Sequence, residues 1–177
     1  MIEKVELKRR LTDNHEAFAK FISGLSEIVA NNALPGKWTP VRQLDHIVKS
    51  VTPVTLAFAL PKFALRIIFG KSKRSSRSYD ELVSTYKSQL AAGAKASARF
   101  VPDTRNDRHK LLRAIEYLIV SLNKRMDNFT ETELDNFLLP HPILGKLTLR
   151  EMLYFTIYHV EHHHIQVNRN ANNSSAA

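Results

Sequence analysis

The chain has 177 residues, an apolar share of 44% and a formal net charge of +9. This length suits one domain with a sizeable core, which we predict over residues 1–170, followed by a flexible tail over 171–177. Because the sequence contains no cysteine, it excludes disulfides, thiolate metal sites and a cysteine nucleophile. Charged residues and prolines interrupt its apolar stretches, so we expect no secretory signal, no transmembrane segment and a cytoplasmic location.

The first half of the chain predicts two helices. Residues 3–30 carry apolar side chains at broadly helical spacing. A second helix is predicted to open at Thr39 and Pro40, because threonine suits the N-cap and proline suits the first helical position. Pro53 is expected to kink or shorten this helix, and Pro61 to end it.

The second half predicts further helices. A short helix is expected over residues 79–92 and a long amphipathic one over 104–127. The segment LLPHPILGK, residues 138–146, has the proline and glycine content of a connector. Thr148 and Glu151 then cap a final helix. Four principal helices, with long connections and a short extra helical segment, predict an all-α four-helix bundle.

A strongly basic region follows the second helix, at residues 62–77. Its dense cationic run, KSKRSSR, has no interleaved aromatic residues, so no specific nucleic-acid binding is expected. One interpretation is an ordinary packed helix with a solvated loop, and another is a binding site for an acidic substrate. A third is docking to a partner or an anionic membrane surface through apolar side chains: Phe63, Ile67, Ile68 and Phe69.

The final helix carries four of the eight histidines, within YHVEHHHIQV. His159 and His163 are four residues apart, so their side chains stand one helical turn apart beside the apolar stripe. Two imidazoles at this spacing can share one divalent ion at about 2.1 Å each. His162 is also within reach of His159 by spacing, but it lies further from the stripe, and His164 lies on the opposite flank.

A fifth histidine, His46, lies on the inward face of the second predicted helix. It could meet His159 and His163 inside a bundle and form a three-histidine site with open positions, the pattern of catalytic metal centres. Exposed polar histidines and hydrogen-bonded core histidines are the alternatives. Asp45 and Glu161 neighbour the histidines and are interpreted as surface charges, so no general base is assigned.

These motifs resemble those of the DinB-like superfamily of four-helix bundles. The second helix begins with WTP at residues 38–40 and leads to His46, and the last helix carries H-x-x-H-H-x-x-Q at residues 159–166. The resemblance covers about residues 10–168. It implies a three-histidine metal site whose ligands carry over onto His46, His159 and His163, with nickel or zinc as the divalent ion.

The resemblance also implies a range of activities on small molecules. Some members are transferases or isomerases that use low-molecular-weight thiols such as bacillithiol, mycothiol or glutathione. We therefore expect a metal-dependent enzyme whose site activates either a thiol, as an S-transferase, or water, as a hydrolase. A non-catalytic metal-binding or structural bundle, and a binding module using residues 62–77, are the alternatives. A homodimer, formed through an exposed apolar face, is compatible with the sequence.

Overall fold

The computed structural model describes the backbone of residues 1–174 and the side chains of residues 1–170. The elements, in chain order, are α1 (Lys4–Gly24), α2 (Glu27–Asn31), α3 (Pro40–Ala57), α4 (Lys62–Phe69), α5 (Tyr79–Ala91), a 3₁₀ turn (Ala98–Phe100), α6 (Arg108–Met126), α7 (Glu131–Asn136), β1 (Leu138–His141), β2 (Gly145–Thr148) and α8 (Leu149–Ser174). The end of α8 overlaps the predicted tail 171–177, of which residues 175–177 lie outside the described part.

Four long helices, α1, α3, α6 and α8, pack against one another and form the bundle. The apolar side chains between them divide into two clusters. One cluster lies around α7, the β-strands and the start of α8. The other lies where α1, α3, α6 and the second half of α8 meet, and its buried members include Phe18, Leu44, Ile47, Ile115 and Val160. The predicted four-helix bundle is confirmed.

The predicted caps occur where side-chain chemistry favours them. Thr39 accepts a hydrogen bond from the backbone N–H of Arg42 at 3.2 Å, and Pro40 opens α3. Glu151 accepts from the backbone N–H of Thr148 at 2.9 Å, while the Thr148 hydroxyl accepts from that of Glu151 at 3.1 Å. Because Thr39 and Thr148 fix where α3 and α8 start, they also fix where the histidines on these helices lie.

Several predicted boundaries were wrong. The helix predicted over 3–30 is broken, because Ser26 begins α2 by accepting a hydrogen bond from the Val29 N–H. The long helix starts at residue 108 rather than 104, since Asp107 caps it. The second helix passes through Pro53 and ends at Ala57. Its predicted terminator, Pro61, instead precedes α4.

The predicted connector 138–146 was also wrong in form, because these residues contribute to an antiparallel hairpin. Leu139 pairs with Leu147, and both side chains are buried against the bundle. Pro140 lies in β1 at an exposed position, so the N–H group that proline lacks is not missed by a buried acceptor. Gly145 has a φ of 71°, a conformation that favours glycine. The hairpin leads directly into α8.

No single helix within residues 1–174 combines the length and apolar composition needed to cross a membrane. The helices α3 and α4 meet that requirement only when taken together, and they are bent by 111° at their break.

Candidate metal centre

Three histidines from two helices of the bundle converge at one buried point. His46 comes from α3, and His159 and His163 come from successive turns of α8. The Nε2 atom of His159 lies 3.2 Å from Nε2 of His46 and 3.1 Å from Nε2 of His163. All three side chains are buried. The structure therefore brings together the three histidines that the sequence selected.

Two hydrogen bonds fix the proton positions on the outer two imidazoles. His46 donates through Nδ1 to the backbone carbonyl of Phe100 at 2.7 Å. His163 donates through Nδ1 to the side-chain oxygen of Gln43 at 2.8 Å. A neutral imidazole carries one proton, so Nε2 of His46 and Nε2 of His163 each present a lone pair to the shared point.

Burial keeps these rings neutral. It is the largest cause that lowers the pKa of His46, and it holds the pKa values of His159 and His163 well below the ordinary 6.5. Neighbouring histidines lower the pKa values of His159 and His163 further. At neutral pH the site consequently offers uncharged nitrogen donors, the form in which histidine binds metals.

The donor arrangement fits a divalent cation better than it fits hydrogen bonding alone. A proton on Nε2 of His159 can be donated to Nε2 of His46 or to Nε2 of His163, but not to both. The nitrogen left without that hydrogen bond faces Nε2 of His159 with its lone pair, and this contact is repulsive. A cation would be attracted by all three. Nitrogen ligands about 2.1 Å from one ion are roughly 3.0–3.4 Å apart in octahedral or tetrahedral geometry. The observed 3.1 and 3.2 Å separations fall in that range.

A buried carboxylate supports the backbone loop that orients His46. Asp45 accepts the backbone N–H of Asp103 at 2.8 Å and pairs with Lys49 at 3.2 Å. This loop carries the Phe100 carbonyl. The interpretation of Asp45 as a surface charge was wrong, because its side chain is almost fully buried where the loop folds over α3. Glu161 is exposed, as the helical geometry predicted.

The other two histidines of the run make different contacts. His162 lies 2.6 Å, through Nε2, from the side-chain nitrogen of Gln166. His164 packs on the opposite flank of α8, against the rings of Phe18 and Phe21 at 5.7 and 5.0 Å between ring centroids. Neither belongs to the three-histidine cluster. The distinction made from the helical wheel therefore matches the contacts of α8.

An apolar cavity of about 500 Å³ adjoins the cluster. His46 and His159 contribute to its wall, and so do His141 of β1 and Phe155 of α8. The ring of Phe155 lies between His141 and His159, at 4.2 and 4.7 Å from their respective centroids. The volume lies within the range of about 300–1,000 Å³ that is usual for small-molecule sites.

Sequence reasoning missed three contributors to this region: Gln43, the Phe100 carbonyl and His141. Gln43 precedes His46 by three residues on α3, so helical spacing could have placed it on the same face. The Phe100 carbonyl carries no side-chain signal. His141 was part of the presumed connector, and only the hairpin brings it to the cavity.

The basic region is partly neutralised within the fold. Arg74 and Arg77 bind Glu151 at 2.6 and 2.9 Å, and Lys62 pairs with Glu133 at 2.7 Å.

The apolar side chains of the basic region, which the docking interpretation would place on a membrane or a partner, differ in their surroundings. Phe63, Ile67 and Ile68 are exposed, whereas Phe69 lines the cavity.

Comparisons with known proteins agree with this architecture. A family model for the DinB superfamily matches residues 10–167. No curated protein sequence matches the chain. Among solved structures, YfiT from Bacillus subtilis, described as a probable metal-dependent hydrolase with an unusual four-helix bundle topology, has a TM-score of 0.67 and 15% sequence identity. The match covers 99% of this chain and 91% of YfiT. At this identity the likeness establishes the fold.

Proposed function

This chain belongs to the DinB superfamily, and we propose that it is a divalent-metal-dependent hydrolase of a small molecule. The observation that carries the proposal is the convergence of three neutral imidazole nitrogens, 3.1 and 3.2 Å apart, beside a cavity of small-molecule size. A set of three protein ligands that leaves positions open is typical of catalytic metal sites rather than structural ones. YfiT, whose fold this chain shares, is described as a probable metal-dependent hydrolase.

His46, His159 and His163 would hold the ion. Imidazole ligands suit zinc and nickel, and we propose one of these two metals. A divalent ion in such a site supplies a Lewis acid that lowers the pKa of a bound water toward neutrality. Because the three ligands are uncharged, they leave the charge of the ion undiminished for this purpose.

The remaining residues position the ligands and shape the space for a substrate. Gln43 and the Phe100 carbonyl hold the imidazoles of His163 and His46 in the tautomer that turns Nε2 inward. The apolar wall that includes Phe155 would exclude bulk water from the substrate and bind its apolar part.

The character of the cavity favours water over a charged thiol as nucleophile. Glutathione and bacillithiol carry more than one carboxylate. Arg99 is the one lysine or arginine side chain in the described lining, which is otherwise largely apolar. A site built for such thiols would be expected to offer more cations. Transfer to a carboxylate-bearing thiol of this kind is therefore the second form of the proposal, to be distinguished by assay.

The test uses tag-free protein loaded separately with zinc, nickel and manganese. Hydrolysis of a panel of fluorogenic esters, thioesters and amides is measured for the wild type, for His163→Ala and for the matched control His164→Ala. Metal-dependent turnover that is lost in His163→Ala and kept in His164→Ala supports the proposal. Equal turnover by metal-free protein would contradict it. Conjugation of glutathione or bacillithiol to an electrophile, without hydrolysis, would assign the thiol reaction instead.

A further inference from the structure

His141 lines the cavity with its proton position fixed by the backbone. Its Nδ1 accepts hydrogen bonds from the backbone N–H groups of Ile143 and Leu144, at 3.2 and 3.0 Å. Because Nδ1 accepts twice, the neutral ring must carry its proton on Nε2. Burial lowers the pKa of His141 to about 4, so the ring stays in this neutral form near pH 7.

The Nε2–H group of His141 has no hydrogen-bond partner among the described residues. The protein satisfies Nδ1 twice, but the other nitrogen lies on a ring that forms part of the cavity wall. Its neighbours there are the aromatic rings of Phe155 and Tyr86, at centroid distances of 4.2 and 6.4 Å. Nε2 of His141 is not among the fully buried atoms that lack a partner, so it remains accessible to a ligand. A donor of fixed orientation on a largely apolar wall is suited to hold a hydrogen-bond acceptor of such a ligand.

The charges of the residues that line the cavity further restrict the class of ligand that can bind there. The residues that form the cavity wall include no aspartate, glutamate or lysine, and Arg99 is their one permanent cation. No ion pair joins Arg99 to a carboxylate of the described residues, and its guanidinium lies 5.1 Å from the ring of Phe100. A cationic ligand would find no counter-charge here, whereas a neutral or anionic one would meet no repulsion.

We propose that this cavity binds a neutral or singly anionic molecule with an apolar body, and that the Nε2–H group of His141 donates a hydrogen bond to an acceptor oxygen of that molecule. His141 is thus a binding residue for the substrate. The inference rests on the proposed function in taking this ligand to be the substrate of the neighbouring histidine site. Binding of the ligand requires only the His141 donor and the apolar wall, so it can be measured in the absence of any reaction.

Two substitutions separate the roles of the two ring nitrogens. In His141→Asn the short side-chain oxygen can replace Nδ1 as the acceptor for the Ile143 and Leu144 N–H groups, but no donor reaches the position of Nε2. In His141→Gln the longer amide places an N–H near the position of Nε2 and loses the close acceptor. Both variants are checked for folding by thermal unfolding.

Binding is measured by NMR titration of the full-length chain with acetophenone, which carries an acceptor oxygen, and with ethylbenzene, which is similar in shape and lacks one. We expect His141→Asn to weaken acetophenone binding about three- to tenfold, the value of one net hydrogen bond, and to leave ethylbenzene binding unchanged. His141→Gln should retain most of the affinity for acetophenone. Phenylacetate should bind more tightly than benzylammonium.

Several results would overturn the inference. An unchanged affinity of His141→Asn for acetophenone would mean that another group, such as the Tyr86 hydroxyl, holds the oxygen. Equal losses for both probes or in both variants would indicate a structural role for His141. The absence of binding to the wild type, or tighter binding of benzylammonium, would contradict the assigned ligand class. Repeating the titrations in His163→Ala separates the two proposals, because the effect of His141→Asn should persist even if no metal is bound.

Discussion

Gln43→Leu is expected to weaken metal binding although residue 43 would not touch the ion. The Gln43 side-chain oxygen lies 2.8 Å from Nδ1 of His163, and both side chains are buried. Leucine is similar in size but cannot accept this hydrogen bond. The Nδ1–H group would then be unpaired, and the tautomer that turns the Nε2 lone pair toward the other two histidines would lose its stabilisation.

The magnitude follows from the chemistry of this contact. Removal of a group that orients a metal-bound histidine typically reduces affinity about 10- to 100-fold, or about 1.4–2.7 kcal/mol. A buried neutral hydrogen bond contributes about 0.5–1.5 kcal/mol, with a further cost for the donor left unpaired, so the two estimates agree. We therefore expect a decrease of at least tenfold for zinc or nickel in Gln43→Leu.

The assay is competition with a chromophoric chelator, using tag-free wild type, Gln43→Leu and the matched control Gln43→Glu. Glutamate keeps an acceptor oxygen near His163, so its affinity should equal or exceed that of the wild type. A folded Gln43→Leu variant that binds as tightly as the wild type, while His163→Ala does not bind, would refute the orienting role of Gln43.

Three further predictions concern the frame around the site. Asp45→Ala removes the buried acceptor for the loop 97–103, so we expect metal affinity to fall about tenfold, as measured with the same chelator; unchanged affinity would contradict this role. Burial lowers the pKa values of His15 and His141 from 6.5 to about 4, so the unfolded chain binds more protons than the folded one between these two pH values. The free energy of unfolding should therefore decrease as the pH is lowered through that window, by roughly 3 kcal/mol per histidine. Urea unfolding of His15→Gln should show a smaller loss of stability on acidification than the wild type, and equal pH dependence of the two proteins would count against this account. Glu151→Gln should lower the free energy of unfolding by about 2–3 kcal/mol at pH 7. This loss is smaller than that expected for a fully buried ion pair, because Arg74 and Arg77 are partly exposed. A loss below about 0.5 kcal/mol would contradict a stabilising role for the ion pairs of Glu151.

Local chemistry made much of the fold predictable. Thr39 with Pro40, and Thr148 with Glu151, are caps whose hydrogen bonds depend on residues at most three apart, so they can be identified without tertiary information. The helical period likewise separated His163 from His164, because the angle between neighbouring residues is fixed by the helix. These local rules located the two helices that carry the histidine cluster.

The missed features depend on contacts between distant parts of the chain. His141 reaches the cavity only because Leu139 and Leu147 bury one face of a hairpin. The proline and glycine content of this segment does not predict that contact. The burial of Asp45 likewise depends on Asp103, which lies 58 positions away along the chain. The Phe100 carbonyl is a backbone group, and any residue type at that position would supply it.

Metal content tests the central claim most directly. Tag-free wild type is incubated with zinc or nickel, dialysed and analysed for metal, beside His46→Ala, His163→Ala and the controls His162→Ala and His164→Ala. The account predicts about one ion per chain in the wild type and both controls, with loss of at least a hundredfold in affinity when either cluster histidine is removed. A wild type that binds no ion, or one that keeps its ion in His46→Ala, would contradict it.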